Sequence, residues 1–153
     1  MWIPPEEKDP ILLHAPTRKS IALFGAVQAN TGQLVSMMAL IFNAETFLKF
    51  LKMVLRKRKR GKKLFLILDN ARYHHATMIQ PWLNENKKWI KLIFLPPYSP
   101  DLNNIERVWK MTRRLCTHNR YFGTLDELAY RVKKQMKQWS VPNETLRKLC
   151  CIN

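Results

Sequence analysis

An α/β fold is what this sequence predicts, and three features predict it. Two short apolar runs, "LFLIL" (Leu64–Leu68) and "IKLIFL" (residues 90–95), have strand length. Segments of helical period lie between and around them. Both runs are apolar without alternation, which suits strands of a partly parallel sheet covered on both faces. At 153 residues the chain fits one domain spanning 1–153, long enough to bury a core.

The elements follow in order. Residues 1–19 read as an irregular lead-in, because residues 1–20 hold four of the nine prolines and little periodicity. "SIALFGAVQA" (20–29) and "QLVSMMALIF" (33–42) read as two strands of a hairpin around the turn signal "NTG". Asn43 is a good N-cap for a helix from Ala44, in which Phe47, Phe50, Leu51, Val54 and Leu55 recur at helical spacing. That helix runs into "RKRKRGKK" (56–63) and stops at Gly61. A helix is expected from His75 to Asn86, then the second buried strand and a rigid loop, "PPYSPD". A long helix is expected from Asn104 to about Asn119. A last one opens at Thr124, where T-L-D-E matches a capping box, with Leu125, Leu128, Val132, Met136 and Trp139 on one face. Trp82, Trp89 and Trp139 read as core or sheet-covering residues. There are no internal repeats.

Charge narrows the function. Lys and Arg number 27 against 11 Asp and Glu, a net charge of +16 that makes a polyanion, nucleic acid above all, the expected partner. The longest mostly apolar stretch (34–42) falls short of the roughly 18 residues a membrane span requires, so no membrane partner is expected. "MWIPPEEKDP" has neither signal nor transit character. Cys116, Cys150 and Cys151 lack zinc-site spacing and cannot form a closed disulfide framework, which points to a reducing, cytoplasmic and nucleoid-associated setting.

Two acids stand at informative places. Asp69 is the first polar residue after "LFLIL", at the carboxyl end of a strand, where open α/β sheets bind ligands. Two readings are open there: a carboxylate holding a divalent metal, or an Asx-turn or helix cap made by Asp69 and Asn70. Glu106 lies in the first turn of the helix after "PPYSPDLNN". With Asn103 as N-cap it completes a capping box and complements the helix dipole. It also borders the stripe of Ile105, Val108, Trp109, Thr112 and Cys116, in line with Lys110 and Arg113. That placement equally suits a metal ligand flanked by phosphate-gripping side chains, or a plain Glu–Lys pair one turn apart.

Taken together, "LILDNARYHH" and "LPPYSPDLNNIERVW", with 36 residues between Asp69 and Glu106, resemble the last two acidic motifs of the DDE transposases. The nearest resemblance is to the mariner-type superfamily and its bacterial insertion-sequence branch. "WIPP" near Trp2, "LFGAVQANTG", "NAETFLKFL" and "TLDELAYRVKKQMKQW" resemble further segments in the same order. The resemblance implies a ribonuclease-H-like mixed sheet flanked by helices, and Mg²⁺, with Mn²⁺ able to substitute, held by three carboxylates. It implies DNA as substrate, both element ends and target, with hydrolysis followed by strand transfer. By position Asp69 resembles the second acid, Glu106 the third and His74 the motif histidine, whose role stays open between positioning and packing. Asn70 and Asn103 are motif positions too. Asn104 stands where the family usually has proline, a favourable first helical residue, so the helix start should be slightly weakened.

The family's first aspartate lies on a strand upstream of the segment that resembles "WIPP". Glu6, Glu7 and Asp9 sit in a proline-bounded polar stretch that cannot be a central strand, and Glu45 opens a helix. The expectation is therefore a catalytic region lacking the first strand and first acid, whose activity on its own would be crippled. Phosphate contacts are expected from Lys110, Arg113 and Arg114, and from Arg58, Lys59 and Arg60 in the basic run. The alternatives are a non-catalytic basic DNA-binding remnant, associating with itself or with a full-length transposase, and a basic RNA- or ribosome-associated protein.

Overall fold

The computed structural model describes residues 11–14 and 19–151. Trp2, Glu6, Glu7 and Asp9 lie outside them. The described chain forms two compact units, one built from the segments up to Ile41 and from Asn104 onward, the other from Phe42 to Asn103.

The first unit is an antiparallel sheet in the order β1 (Ile11–His14), β2 (Lys19–Val27), β3 (Leu34–Ala39), with helices α3 (Asn104–Cys116), α4 (Leu125–Trp139) and α5 (Glu144–Cys150). The expected hairpin is present, in register from Ala22↔Ala39 to Val27↔Leu34. The lead-in is not irregular throughout. Ile11–His14 pairs with Lys19–Ala22 as an edge strand, since three consecutive apolar residues can join a ladder whatever prolines flank them.

The core of this unit packs Ile21, Leu23 and Leu34 of the sheet against Val108 and Trp109 of α3 and Leu128, Val132 and Met136 of α4. The stripes expected on α3 and α4 are the buried ones, with Ile105 and Leu125 partly buried at their margins. Trp109 lies so close to Gly25 that a β-carbon there would meet its ring. The helix expected to reach Asn119 ends at Cys116. The Thr117 hydroxyl donates to the Arg113 carbonyl, and Asn119 turns left-handed at φ 53°. Thr124 caps α4 by accepting the Glu127 N–H, but Glu127 reaches back to the Gly123 N–H, one residue earlier than a strict capping box.

α5 lies outside the sequence-based expectations, although its signals are ordinary. Asn143 caps it by accepting the Leu146 N–H at 2.9 Å, and Leu146 and Cys150 are buried. Asn143 also ties the helix to the hairpin: its Nδ2 donates to the Gly32 carbonyl at 2.8 Å and its N–H to the Thr31 carbonyl at 2.9 Å. Burial pushes the Cys116 and Cys150 thiols above their usual pKa, while Cys151 is exposed.

The second unit contains α1 (Ala44–Arg56), the parallel pair β4 (Leu64–Leu68) and β5 (Ile90–Phe94), and α2 (Gln80–Glu85). Asn43 and Thr46 form a complete capping box on α1, and Phe47, Phe50, Leu51 and Val54 make its buried face. The helix expected over His75–Asn86 is instead two 3₁₀ turns, Arg72–His75 and Thr77–Ile79, followed by a short α2. Pro81 explains the break. It lacks an N–H and its ring clashes with the carbonyl four residues back, so an α-helix starts only just before it.

Neither β4 nor β5 is buried on both faces, contrary to expectation. Leu68 and Ile90 are buried, whereas Phe65 and Ile67 are 57% and 56% exposed. The reason is the narrow sheet: among the described residues β4 pairs only with β5.

Gly32 has φ +72°, and a β-carbon there would meet the Asn143 carbonyl and the Arg147 backbone. Gly32→Ala should lower unfolding stability by roughly 1–3 kcal/mol, because a strained φ and an overpacked contact add. Urea denaturation followed by circular dichroism measures this; an unchanged midpoint would show that the clamp yields freely.

Candidate active site

The candidate site begins where β4 ends. Strand pairing closes with the Leu95 N–H donating to the Leu68 carbonyl at 2.9 Å, so the next residue, Asp69, emerges at the carboxyl end of the parallel pair. Asp69 Oδ1 accepts the Ala71 N–H at 3.1 Å, which is the Asx-turn reading of this position. The helix-cap reading does not hold, since the following 3₁₀ turn, Arg72–His75, is preceded by Ala71 and has no side-chain cap. The turn does not exclude a ligand role, because the Asp69 side chain remains 22% exposed.

His74 holds the same carboxylate. Its Nδ1 lies 2.9 Å from the Asp69 carbonyl and 3.1 Å from Asp69 Oδ1. With the carboxylate ionised both neighbours are acceptors, so Nδ1 carries the proton and shares it between them. The ring is 8% exposed and wedged against Phe47 and Tyr73, with centroid distances of 4.5 Å to each. Packing fixes the ring, and the ring orients the acid.

Asn70 binds the two strand ends together. Its Nδ2 donates to the Leu95 carbonyl at 2.7 Å, and its Oδ1 meets His75 Nε2 at 3.2 Å. His75 is not among the site residues expected from sequence. It stacks on Phe94 at 4.2 Å and 23°, completing a rim of Asp69, Asn70, His74 and His75. Its place directly after the motif histidine was the available signal.

The loop beyond β5 shares that rim. Tyr98 adopts φ 58°, a costly conformation for an aromatic residue, and stands 92% exposed among Pro96, Pro97 and Pro100. A 3₁₀ turn, Pro100–Leu102, leads to Asn103, which is buried and extended. α3 then starts, with Glu106 half-buried in its first turn. Lys110 and Arg114 are exposed and Arg113 half-buried, one and two turns along the face that Glu106 begins. Asp69 and Glu106 belong to different compact units. Arg58, Lys59 and Arg60 lie at the other end of β4 from Asp69, before its first residue. Among the described residues no group of three or more His, Cys, Asp and Glu side chains is placed to hold a metal ion.

The fold is α/β and ribonuclease-H-like, as comparison with solved structures shows. The chain superposes on the catalytic domain of Mos1 mariner transposase with a TM-score of 0.70, covering 93% of this chain and 72% of that one at 16% identity. A second likeness, TM-score 0.60 at 14% identity, is to a chain of a simian T-cell lymphotropic virus intasome complex, covering 81% and 45%. The sequence pattern of the DDE superfamily endonucleases matches residues 1–129, and the chain belongs to that family. Among relatives, an IS630 insertion-element 39 kDa protein of Shigella sonnei is 30% identical over 115 residues, 75% of this chain. The chain spans 33% of that protein's length. The protein y4pE/y4sA of Sinorhizobium fredii is 33% identical over 107 residues, covering 70% of this chain and 76% of its own.

Two substitutions test the local geometry. His74→Phe keeps a buried ring but removes the donor to Asp69, and should cost about 1–3 kcal/mol of stability, readable in urea melts. A variant as stable as the parent would reduce His74 to packing alone. Asn104 has a buried Oδ1 without a hydrogen-bond partner among the described residues, at the first position of α3 and after an extended Asn103. Asn104→Pro removes that orphan and presets φ, so thermal melting should rise, by a gain of about 0.5–2 kcal/mol. A fall in melting temperature would contradict the assignment.

Proposed function

We propose that this chain is a DDE-type transposase catalytic region that cleaves and transfers DNA strands with a divalent metal, and that Asp69 and Glu106 are two of its metal-binding acids. The observation that carries this reading is Asp69 itself. It is a strand-end carboxylate oriented by a buried histidine, in a chain of this family.

The donor chemistry fits Mg²⁺, with Mn²⁺ as a substitute: both acids offer hard carboxylate oxygens. His74 does for Asp69 what outer hydrogen bonds do for metal ligands generally, fixing the carboxylate's direction before an ion arrives. When bound, the metal supplies charge stabilisation at the phosphoryl oxygens and activates the attacking oxygen. Lys110, Arg113 and Arg114 hold DNA phosphates along α3, leading away from Glu106. Element ends and target DNA are the substrates. A further acid comes from a strand added beside β4; what supports this is the side of β4 without a partner among the described residues, next to the exposed Phe65 and Ile67. A full-length transposase is a source of such a strand.

The net charge of +16 supports a second reading, a non-catalytic DNA-binding partner of a transposase. One experiment separates the two. Purified protein, alone and mixed with a full-length transposase of the family whose own second and third acids have been replaced, is assayed for nicking of supercoiled plasmid with Mg²⁺ or Mn²⁺, alongside fluorescence-anisotropy binding to duplex DNA. Asp69→Asn and Glu106→Gln should each abolish nicking while leaving binding in place. Salt-sensitive binding without nicking in the parent would favour the second reading, and nicking that survives both substitutions would remove these acids from the site.

A further inference from the structure

The amino ends of β4 and β5 carry a feature that the candidate active site does not use. Residues 56–63 leave α1 and enter β4, and residues 87–91 leave α2 and enter β5, so parallel pairing brings the two segments to one rim. They touch directly. The Leu64 N–H donates to the Trp89 carbonyl at 2.8 Å, and the Arg58 guanidinium lies 4.1 Å from the centre of the Trp89 ring. Arg58 Nη1 also donates to the carbonyls of Lys59 and Lys62, each at 3.2 Å, folding the basic loop around its own side chain. Lys88 approaches the same indole at 4.9 Å. Trp89, expected in the core or covering the sheet, is half-buried and carries cations on its ring.

Ten of the chain's 27 Lys and Arg fall in these two segments, with no acid among them. All except Arg58 are exposed, and among the described residues none is in an ion pair. Such a concentration repels itself unless an anion partner neutralises it. It also sits at the wrong end of the sheet to serve Asp69. The five residues of β4 put about 13 Å between the first and last α-carbons, at roughly 3.3 Å per residue.

We propose that this rim is a second phosphate-binding surface, which holds the backbone of duplex DNA away from the phosphate that reacts at the Asp69 end. Arg58 and Trp89 set the loop's shape. Lys59, Arg60, Lys62 and Lys63, with Lys87 and Lys88, grip the phosphates. Binding here is independent of sequence, because point charges on a loop read phosphates and not base edges. It does not depend on the proposed chemistry.

The test is anisotropy of a fluorescein-labelled 20-base-pair duplex titrated with the full chain across a range of salt. Replacing Lys59, Arg60, Lys62 and Lys63 together by Gln should weaken binding about 10-fold or more. It should also flatten the log K against log salt slope by about 2–4, near 0.9 for each phosphate no longer neutralised. Lys87→Gln with Lys88→Gln should move both readouts in the same direction from the other segment. A charge-keeping control, Lys59, Lys62 and Lys63→Arg with Arg60→Lys, should bind as the parent does. Asp69→Asn should leave affinity and slope unaltered while removing any nicking, so failure of the chemistry and failure of the rim are read separately. The proposal is overturned if the Gln variants melt at the parent's temperature yet keep its affinity and slope. It is also overturned if the charge-keeping control loses binding, or if phosphatidylserine vesicles or duplex RNA hold the parent more tightly than DNA.

Discussion

Parallel pairing of β4 with β5 is the constraint on which both ends of the second unit depend. Leu68 opposite Phe94 brings two carboxyl ends together, and that juxtaposition lets one asparagine side chain, Asn70, reach the Leu95 carbonyl. His75 can then rest on Phe94 while touching Asn70. The same register gathers residues 56–63 and 87–91 at the amino ends. Slipping the pair by one residue would turn every side chain to the opposite face and separate these partners. A strand that is only five residues from one rim to the other thus carries an acid at one side and a dense cation cluster at the other.

Electrostatics follows from how few acids the chain has. Glu45 pairs with Lys49 at 3.1 Å on α1, and Glu144 with Arg147 on α5, both exposed pairs that contribute little to stability. The Arg147 hydrogen bond holds the Glu144 carboxyl below its usual pKa. Asp69 is different: it meets a buried histidine and a backbone N–H, so its geometry is prearranged. With these acids engaged locally, most cations face outward, and a polyanionic partner is the natural means of neutralising them.

Helices with a strong cap and a clean apolar stripe were legible. Asn43 with Phe47, Phe50, Leu51 and Val54 located α1, and Val108, Trp109, Thr112 and Cys116 located the buried face of α3. Elements that depend on a neighbour were not. β1 is four residues long and exists by pairing with β2, and α2 is shortened by Pro81 despite an otherwise plausible pattern. α5 carries its own signals in Asn143 and Leu146, and its anchor is the hairpin more than 100 residues earlier. At the site, Asp69, Asn70 and His74 were readable as a motif. The histidine's role was not, because the motif carries no information on which atoms touch.

What the sequence determined by itself is local chemistry and class: the strand-end acid, the capped amphipathic helices, the cationic excess and membership of the DDE superfamily endonucleases. Each of these is written in residue type and spacing. Only the tertiary structure decided that His74 Nδ1 lies against both the Asp69 carbonyl and its carboxylate, and that Trp89 carries cations on its ring. It alone decided that Gly32 must stay small beneath Asn143, and that Phe65 and Ile67 remain exposed. The physical reason is common to all four. Each depends on which groups meet, or fail to meet, once strands have paired and helices have packed, and a spacing pattern along one segment does not encode its neighbours.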